Sequence, residues 1–500
     1  MKRPNVLFVM TDQQRFDTIA ALGNEHVYTP NLDRLVARGV SFTDAYSTCP
    51  VCVPARYTVR SGREPLATGI FSNGQWRSPE DPATMESRCG PFLARTMRER
   101  GYRTFGVGKF HTSPTYQDLG YEVHQHSEEL YGRGDRGRDA YASFIAREHP
   151  EYAWLEMLQG ERTEMYYVPQ MSPLPAELTV ESWAADRACE QLAPDDGRPF
   201  FGFVSFIGPH PPCAPPQPFN RMYDPDRMPD PVRGSPEVDT ADEYVNWMNY
   251  AIWADDISDS RARMLKARYY GEISYIDSCL GRILDAVEAR PDAENTLICF
   301  FSDHGDHLGD HDAWQKESFF EGACHVPFLL SWPARLPAGG RRDELVCLTD
   351  LFGIATGAGG QAEARDGIDV LGLLEGSVSP RENLFGYYGV PGTPRFKIMV
   401  RSGDWKYTCL ANGGRELLFN VAEDPAETAE LFSARADVAD RMRAAAVGAL
   451  RAPGGEGALD GDALRVFPFE AMPRRRIHQF AGDLGVKGFP DRPGDLFEER

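Results

Sequence analysis

The chain has little positive charge for its length. Its 500 residues carry a formal net charge of -21, because 74 Asp and Glu residues outnumber 53 Lys and Arg residues. Such an excess of negative charge disfavours nucleic acid and anionic membrane surfaces as partners. The sequence also lacks an uninterrupted apolar run of about 18 residues, which a membrane-spanning helix needs. We therefore expect neither a nucleic-acid partner nor a membrane partner.

Cysteine is scarce as well, with 10 residues scattered along the chain. This distribution favours free thiols over a disulfide framework. Residues Met1–Pro4 lead directly into an apolar run that is too short for the apolar region of a signal peptide. Internal repeats and extended low-complexity segments are absent too. We expect a cytoplasmic protein.

A hydrophobic fraction of 42% is ample for a core, and the length exceeds what one core usually holds. The sequence predicts two domains, 1–376 and 377–500. The first is predicted to be α/β, with a large, mostly parallel sheet flanked by helices. The second is predicted to be a small antiparallel α+β subdomain with an extended tail.

Four short apolar runs in the first domain read as buried parallel strands. They are Val6–Met10, Thr104–Gly108, Phe200–Phe206 and Leu297–Phe301. Helical patterns lie between them at 29–39, 91–100 and 269–289, each with apolar positions at helical spacing. Strands that alternate with helices over this length indicate a sheet covered on both faces.

Each of the four runs is followed by polar residues of types that occur in catalytic and metal-binding sites. The polar segments are Thr11–Gln13, Lys109–His111, Gly208–Pro211 and Ser302–Asp306. In open α/β sheets, ligands bind beyond the carboxyl ends of the strands. We therefore expect these segments to form one site.

The second domain shows alternating or apolar segments separated by Gly and Asp turns, which is typical of a small antiparallel sheet. These segments are 382–389, 396–401, 405–410 and 416–421. A further helical region is predicted to begin at 424–428. The tail from Pro468, which includes Arg474–Arg476, is interpreted as a solvated arm or as a contact in a homo-oligomer.

Cys52 has several possible roles. Cys49 and Cys52 form a CxxC pair, which elsewhere marks a redox site or half of a zinc site. No second half-site follows at zinc-finger spacing, however. A loop cysteine can also be a small apolar residue and nothing more. The distinguishing feature is that Cys52 is followed by Pro54 and Arg56.

The polar residues at the strand ends include a metal-ligand set. Asp12 and Asp303 offer carboxylates, His304 a ring nitrogen and Gln13 an amide oxygen. This set suits one divalent cation bound mainly through oxygen. An anionic substrate would also need local positive charge in such an acidic chain. Arg56, Lys109, His111, His210, Lys316 and the metal could supply it.

Along nearly its whole length the chain resembles a type I, formylglycine-dependent sulfatase of the alkaline phosphatase superfamily. The matching segments, in the order of the family, are Val9–Asp12, Cys52–Arg56 with Ser61–Arg63, Gly108–His111, Pro209–Pro212, Tyr275–Asp277, and Ser302–His311 followed by Lys316. Cys-x-Pro-x-Arg is the peptide that formylglycine-generating enzymes recognise in sulfatases. The resemblance therefore implies that such an enzyme converts Cys52 to formylglycine.

The resemblance also implies the chemistry: a sulfate monoester of a small alcohol is hydrolysed. One hydroxyl of the formylglycine hydrate attacks sulfur, and the other, once deprotonated, expels sulfate. Calcium is the implied metal, with Mn²⁺ and Mg²⁺ left open. Its implied ligands are Asp12, Gln13, residue 52, Asp303 and His304.

The remaining roles are carried over position by position. Arg56 and Lys109 are expected to hold the nucleophile and neutralise sulfate oxygens, and His111 to act as the base. His210 and Lys316 are expected to bind sulfate and protonate the leaving alkoxide. Asn73 is either a sulfate or leaving-group contact or an ordinary turn residue.

Three positions depart from the family pattern. Gln13 stands where many members have a second Asp, Ala55 where Ser is commonest, and Arg60 where an aliphatic residue is usual. Gln13 resembles phosphonate monoester hydrolases, so a phosphonate monoester or phosphodiester hydrolase that uses the same nucleophile is the main alternative. The Lys109/His111 pair resembles sulfatases instead.

Two further hypotheses are open. A two-metal phosphoesterase would need a Ser or Thr nucleophile and ligands from His307, His311 or His325. A binding protein without activity would keep Cys52 unmodified. The alcohol itself is not specified by the sequence. Aromatic residues in long inter-strand segments could shape its pocket or simply pack in the core: Trp76, Tyr116, Trp154, Tyr166, Tyr167 and Trp247.

Overall fold

A computed structural model of the chain describes residues 3–73, 82–112, 117–128, 136–153, 155, 166–193 and 196–474. The main sheet has eight strands in the order β5-β4-β6-β1-β7-β8-β2-β9. Their bounds are β1 Asn5–Thr11, β2 Val40–Phe42, β4 Arg103–Gly108, β5 Val123–His126, β6 Phe200–Ser205, β7 Thr296–Ser302, β8 Phe328–Ser331 and β9 Gly340–Arg342. A separate pair consists of β3 Ala45–Tyr46 and β10 Val346–Cys347.

The four predicted strands lie side by side at the centre of this sheet. β4, β6, β1 and β7 pair in parallel, and nearly every residue in them is buried. Covering both faces of the sheet is what makes these runs continuously apolar. β8 is antiparallel to both β7 and β2, so the sheet is mixed at this edge. The predicted large, mostly parallel sheet is confirmed.

Helices cover the sheet on both faces. Their bounds are α1 Pro30–Arg38, α2 Cys52–Ser61, α3 Pro65–Thr68, α4 Pro82–Cys89, α5 Leu93–Glu99, α6 Ala140–Glu148, α7 Val180–Leu192, α8 Pro236–Asp239, α9 Glu243–Ala251, α10 Asp259–Glu288, α11 Glu321–Cys324, α12 Leu351–Ala358, α13 Val370–Leu374 and α14 Ala436–Ala449. The helix predicted at 269–289 is longer than expected. It begins at Asp259, where the Ser258 side chain accepts a hydrogen bond from Arg261 N.

Asp277 joins the long helix α10 to the start of α1. Its carboxylate accepts hydrogen bonds from Asn31 N at 3.1 Å and Leu32 N at 2.7 Å. Free N–H groups at a helix start need such acceptors, and a negative charge there is favourable. Asp277 therefore has a structural role, capping a helix that packs beside the sheet.

A second, four-stranded antiparallel sheet follows in the order β11-β12-β13-β14. Its bounds are β11 Asn383–Tyr388, β12 Lys397–Ser402, β13 Trp405–Leu410 and β14 Arg415–Asn420, and a small hairpin of β15 Leu459–Asp460 and β16 Ala463–Leu464 comes later. α14 packs on this sheet through Val438, Met442 and Ala446. The predicted C-terminal antiparallel subdomain is confirmed, while the exact boundary at 376/377 stays a prediction.

The prediction that a helix begins at 424–428 is wrong, because this segment is a turn and α14 starts only at Ala436. The Asp424 carboxylate accepts a hydrogen bond from Ala429 N at 2.8 Å, which closes the turn. Glu427 has a left-handed φ of 57° and sends its buried carboxylate to Lys406 at 2.6 Å. A left-handed φ at Glu427 is incompatible with a continuous right-handed helix through this segment.

Within the described residues, no helix combines the length and apolar character needed to cross a membrane. All ten cysteines are free thiols. The tail from Arg475 onward lies outside the described residues, so the predicted oligomer contact through it stays a prediction.

Candidate active site

The predicted metal ligands stand just beyond two neighbouring strands. Asp12 and Gln13 follow β1, and Asp303 and His304 follow β7. β1 and β7 pair in parallel up to Thr11 and Ser302, so their ends open at the same edge of the sheet. All four following residues are fully buried.

Cys52 enters the same place as the first residue of α2. Val53 N, one residue on, donates a hydrogen bond to Asn73 Oδ1 at 2.9 Å, so Asn73 caps this helix start. A helix N-terminus carries partial positive charge, which favours an anion in front of it. Asn73 and α2 together orient residue 52.

The four potential ligand atoms converge. Those of Asp12, Cys52, Asp303 and His304 all lie within 4.8 Å of one another. Cys52 Sγ is 3.1 Å from His304 Nε2 and 3.7 Å from Asp12 Oδ1. His304 Nε2 is also 3.6 Å from Asp303 Oδ1. One cation could reach all four groups.

The protonation state of His304 is suited to binding a cation. Its Nδ1 donates to Gly305 O at 3.0 Å, which leaves a lone pair on Nε2 facing the cluster. Burial and the charge of Lys316 hold the pKa of His304 well below its ordinary value. A neutral imidazole and two carboxylates therefore direct only acceptors at one point, and a divalent metal satisfies such a set.

The two carboxylates differ electrostatically. Burial raises the pKa of Asp303 to about 7, and the charge of Asp12 adds to this effect. Burial alone would raise the pKa of Asp12 too, but Lys109 and Arg56 hold it well below its ordinary value. Asp12 is therefore ionised more readily than Asp303. A bound cation would favour the ionised form of Asp303 as well.

Arg56 and Lys109 surround these carboxylates. The Arg56 guanidinium donates to Asp12 Oδ2 at 2.6 Å and to Asp303 Oδ2 at 2.9 Å. It also donates to Lys109 O at 2.7 Å and Ser205 Oγ at 3.0 Å. Lys109 Nζ is 2.7 Å from Asp12 Oδ2. The Arg56 and Lys109 side chains therefore form ion pairs with the carboxylates that are predicted to bind the metal, and neither is exposed to solvent.

A close approach of two strand ends places Lys109. Lys109 N donates to Ser205 O at 3.0 Å, directly after β4. Gly108, with φ 101°, makes this possible, because a Cβ at that position would lie 1.9 Å from Ser205 O. Glycine is the residue that tolerates both the positive φ and the contact.

Gln13, His210 and Lys316 form a chain of hydrogen bonds. Lys316 Nζ donates to Gln13 Oε1 at 2.6 Å and to His210 Nε2 at 2.8 Å. His210 Nδ1 donates to Pro211 O at 2.7 Å, so Nε2 is the acceptor from Lys316. Burial and Lys316 hold the pKa of His210 well below its ordinary value. The proton shared by this pair resides on Lys316.

Gln13 is positioned by Asp306 and Tyr167, to which the sequence assigned no such role. Its φ of 67° is left-handed, which is uncommon outside glycine and is found at functional sites. Gln13 Nε2 donates to Asp306 Oδ2 at 2.6 Å, and Tyr167 OH donates to the same oxygen at 2.8 Å. Asp306 therefore turns the Gln13 oxygen toward Lys316. Its place within the Ser302–His311 segment was the available signal.

His111 is held by a carboxylate that sequence reasoning missed. His111 N donates to Glu128 Oε1 at 2.8 Å, and the same oxygen bonds His126 Nε2. Burial and Lys109 lower the pKa of His111 to about 3. His111 is thus a neutral imidazole, the form that can accept a proton.

Other candidates lie away from the cluster. His307 Nε2 bonds Ser318 Oγ, and His311 Nδ1 bonds Asp239 Oδ1. His325 bonds Thr43 O and pairs with Glu321. These contacts use the histidines that a second metal would need. Within the described residues, Asp12, Cys52, Asp303 and His304 form the one group of three or more His, Cys, Asp or Glu side chains that could hold an ion.

The predicted pocket aromatics separate into three groups. The Tyr166 ring lies edge-on to His210, with centroids 5.7 Å apart, and Tyr167 supports Asp306. Trp247 Nε1 donates to Pro473 O at 2.9 Å, near the C-terminal segment. Trp76, Tyr116 and Trp154 lie outside the described residues.

The CxxC pair lacks the electrostatics of a redox site. Burial, then Asp12, raises the pKa of the Cys52 thiol to about 11, and burial raises that of Cys49 well above its ordinary value. Reactive thiols require the opposite shift. The pKa shifts therefore argue against a redox role, and Cys52 stands instead in a group of buried side chains that could hold a metal ion.

Comparison with known proteins agrees with this geometry. Residues 4–359 match the family model for sulfatases. The chain belongs to the sulfatase family. An arylsulfatase of Clostridium perfringens (strain 13 / Type A) is 26% identical over 455 residues, with 86% of this chain and 90% of the relative covered. A choline-sulfatase of Rhizobium meliloti (strain 1021) is 27% identical over 460 residues, with 86% of this chain and 82% of the relative covered.

A solved structure extends the likeness to the whole fold. The phosphonate monoester hydrolase of Agrobacterium radiobacter superposes with a TM-score of 0.75 at 27% identity, covering 90% of this chain and 95% of that one. The resemblance to sulfatases of the alkaline phosphatase superfamily is confirmed. This member of the sulfatase family is a sulfuric ester hydrolase.

Proposed function

We propose that this sulfatase hydrolyses the sulfate monoester of a small alcohol with residue 52, as formylglycine, in the role of nucleophile. The observation that supports this most directly is the position of Cys52 against Asp12, Asp303 and His304. Pro54 and Arg56 complete the peptide expected for conversion by a formylglycine-generating enzyme. That enzyme is the partner we propose, and the ten free thiols favour a cytoplasmic setting.

One divalent cation, Ca²⁺ in first place and Mn²⁺ or Mg²⁺ as alternatives, would be held by Asp12, Gln13, Asp303, His304 and residue 52. Such a cation lowers the pKa of an oxygen nucleophile and stabilises negative charge in the transition state. Gln13 would contribute its amide oxygen, which accepts a hydrogen bond from Lys316 in this structure. The oxygen-rich set favours a hard cation.

Arg56 and Lys109 compensate the buried carboxylates and would also attract the sulfate oxygens. Both side chains are essentially fully buried beside Asp12. In a chain with a net charge of -21, this local charge is what allows a dianionic product to form in the site. Asn73, at the start of α2, would contact the sulfate or the leaving group.

Lys316, hydrogen-bonded to His210, would protonate the departing alkoxide. Lys316 Nζ carries the proton that it donates to His210 Nε2 across 2.8 Å. Transfer of this proton to the alcohol oxygen would leave Lys316 neutral and His210 unchanged. His111, whose backbone N–H donates to Glu128, would take the proton from the second hydroxyl of residue 52 through its neutral imidazole.

A second candidate function rests on Gln13 and on the solved phosphonate monoester hydrolase. An amide in place of a carboxylate removes one negative charge from the metal site, and the neighbour shares the whole fold. A phosphonate monoester or phosphodiester would then use the same nucleophile. The Lys109/His111 pair favours the sulfatase.

The test is a comparison of kcat/KM for 4-nitrophenyl sulfate and 4-nitrophenyl phenylphosphonate. The enzyme is produced together with a formylglycine-generating enzyme and loaded with Ca²⁺, Mn²⁺ or Mg²⁺. We expect the sulfate to be the better substrate, and C52A, produced in the same way, to be inactive. A higher kcat/KM on the phosphonate would transfer the assignment to the second candidate.

A further inference from the structure

A cavity of about 460 Å³ lies between the start of α9 and the β11–β12 hairpin. Ser72, Tyr244, Arg395 and Lys397 line it, and the C-terminal segment Glu470–Pro473 forms one wall. No ligand of the proposed metal lines the cavity. Its volume is that of a pocket for a small molecule with one or two rings.

Two residues that line the cavity are linked to residues of the proposed catalytic centre. Ser72 directly precedes Asn73, which caps the start of α2. Lys397 Nζ donates to Glu317 O at 2.6 Å, and Glu317 directly follows Lys316. Two lining residues are thus linked to Asn73 and Lys316 through their chain neighbours, and we propose that both of these groups contact the sulfate ester.

The floor of the cavity is aromatic. The rings of Tyr244 and Tyr388 lie 5.5 Å apart, and Lys397 Nζ is 4.9 Å from the centroid of Tyr388. The charge of Lys397 is used internally, because it also donates to the Asp242 carboxylate. Lys397 thus stabilises the floor and is not available to a ligand.

Arg395 is the unmatched cation of the cavity. Its side chain is exposed, and its guanidinium lies 5.3 Å from the centroid of Tyr244. No carboxylate of the described residues forms an ion pair with it. Glu243 is compensated by Arg474 at 3.6 Å, and the exposed Glu470 stands on the outer wall. A guanidinium held against a ring presents its N–H fork to a planar anion.

The outer wall is held in place by side chains of the subdomain and of α9. Asn412 exchanges two hydrogen bonds with the backbone of Glu470, at 2.8 and 2.9 Å. Met472 N donates to Glu243 Oε1 at 2.8 Å, and Trp247 Nε1 donates to Pro473 O. These contacts fix the segment that forms this wall of the cavity.

We propose that this cavity is the subsite for the leaving alcohol, and that the alcohol is a ring compound with a second anionic group that pairs with Arg395. This inference rests on the proposed function, because it places the alcohol of the same sulfate ester. The chain thereby selects substrates with two negative charges: the sulfate at residue 52 and a further anion at Arg395.

The experiment compares kcat/KM for 4-nitrophenyl sulfate with that for derivatives carrying a ring carboxylate or a ring sulfonate. The specificity ratio is kcat/KM for a charged derivative divided by kcat/KM for 4-nitrophenyl sulfate. In R395Q we expect this ratio to fall about tenfold for at least one derivative, because one charge-assisted hydrogen bond is lost. R395K should keep most of the ratio. R451Q, which removes an exposed arginine paired with Asp462, should keep the wild-type ratio.

A binding measurement separates this inference from the proposed function. Calorimetry with 3-hydroxybenzoate and 3-hydroxybenzenesulfonate uses protein with unmodified Cys52 and requires no turnover. Weaker binding of either phenol to R395Q than to R451Q supports the subsite, even if no sulfate is cleaved. Absence of turnover on every aryl sulfate would instead contradict the proposed function. Equal ratios and equal affinities in R395Q and wild type would overturn the subsite.

Discussion

Cys52 Sγ lies 3.1 Å from His304 Nε2, although the two residues are 252 positions apart. The contact forms because α2 begins where the central strands β1 and β7 end. The same point receives carboxylates from Asp12 and Asp303. Residue 52 therefore stands in contact with side chains that could together hold a metal ion.

Arg56 compensates two buried carboxylates at once, so its loss should affect both stability and activity. In R56Q, Asp12 and Asp303 lose their shared guanidinium, which should lower the free energy of unfolding by about 3–5 kcal/mol. We expect kcat/KM for an aryl sulfate to fall at least about 100-fold. Urea unfolding and steady-state kinetics measure the two effects.

R63Q is the matched control for R56Q, because Arg63 pairs with Asp366 in a partly exposed position. A surface pair of this kind contributes about 0–1 kcal/mol. If R56Q and R63Q lost the same stability and activity, the role of Arg56 at the carboxylates would be contradicted.

Lys316 should matter most for poor leaving groups. In K316A the alkoxide no longer receives a proton, so kcat/KM for an alkyl sulfate should fall about 100- to 10,000-fold. The loss should be much smaller for 4-nitrophenyl sulfate, whose phenolate leaves without protonation. The slope of log kcat/KM against the pKa of the leaving alcohol measures this and should be steeper than in wild type. An unchanged slope would argue against Lys316 as the acid.

Much of this arrangement was predictable from the sequence, for a physical reason. Parallel strands buried on both faces are continuous apolar runs, and the residues after Met10 and Phe301 meet at one edge of the sheet. The contacts of Glu128 and Asp306 were not predictable. Glu128 reaches His111 through a backbone N–H, and Asp306 reaches Gln13 because of a left-handed φ. Asp306 lies in the Ser302–His311 segment, but neither contact itself leaves a pattern in the sequence.

Glu128 should make the stability of the folded protein depend on pH in the acidic range. Burial would raise its pKa above 4.5, but His126 and the nearby charges lower it to about 2. A lowered carboxyl pKa stabilises the folded state above pH 4.5, and this contribution is lost as the pH falls from 4.5 toward 2. The melting temperature of the wild type should fall over this interval.

The E128Q variant isolates that contribution. At pH 7 it should lose about 1.5–3 kcal/mol, the contribution of hydrogen bonds to a charged group, and it should show a flatter acid profile. Its kcat should fall about 10- to 100-fold, because His111 is no longer fixed. E148Q, which alters an exposed side chain, serves as control. A wild-type acid profile in E128Q would exclude this role.

Asp277 should stabilise the protein without taking part in chemistry. In D277A the start of α1 loses its acceptor for Asn31 N and Leu32 N, which should cost about 1–2 kcal/mol in urea unfolding. D285A removes an exposed carboxylate from the same helix, one that pairs with Arg34, and should cost less than about 1 kcal/mol. Equal losses in the two variants would contradict the capping role.

The chemical state of residue 52 tests the central claim most directly. The peptide that contains it is isolated from protein made in its native host and analysed by mass spectrometry, with sulfatase activity measured on the same sample. We predict the mass of an aldehyde in place of the thiol, capture by a hydrazide reagent, and activity in proportion to the converted fraction. An intact Cys52 thiol in protein that turns over a sulfate ester would contradict the claim.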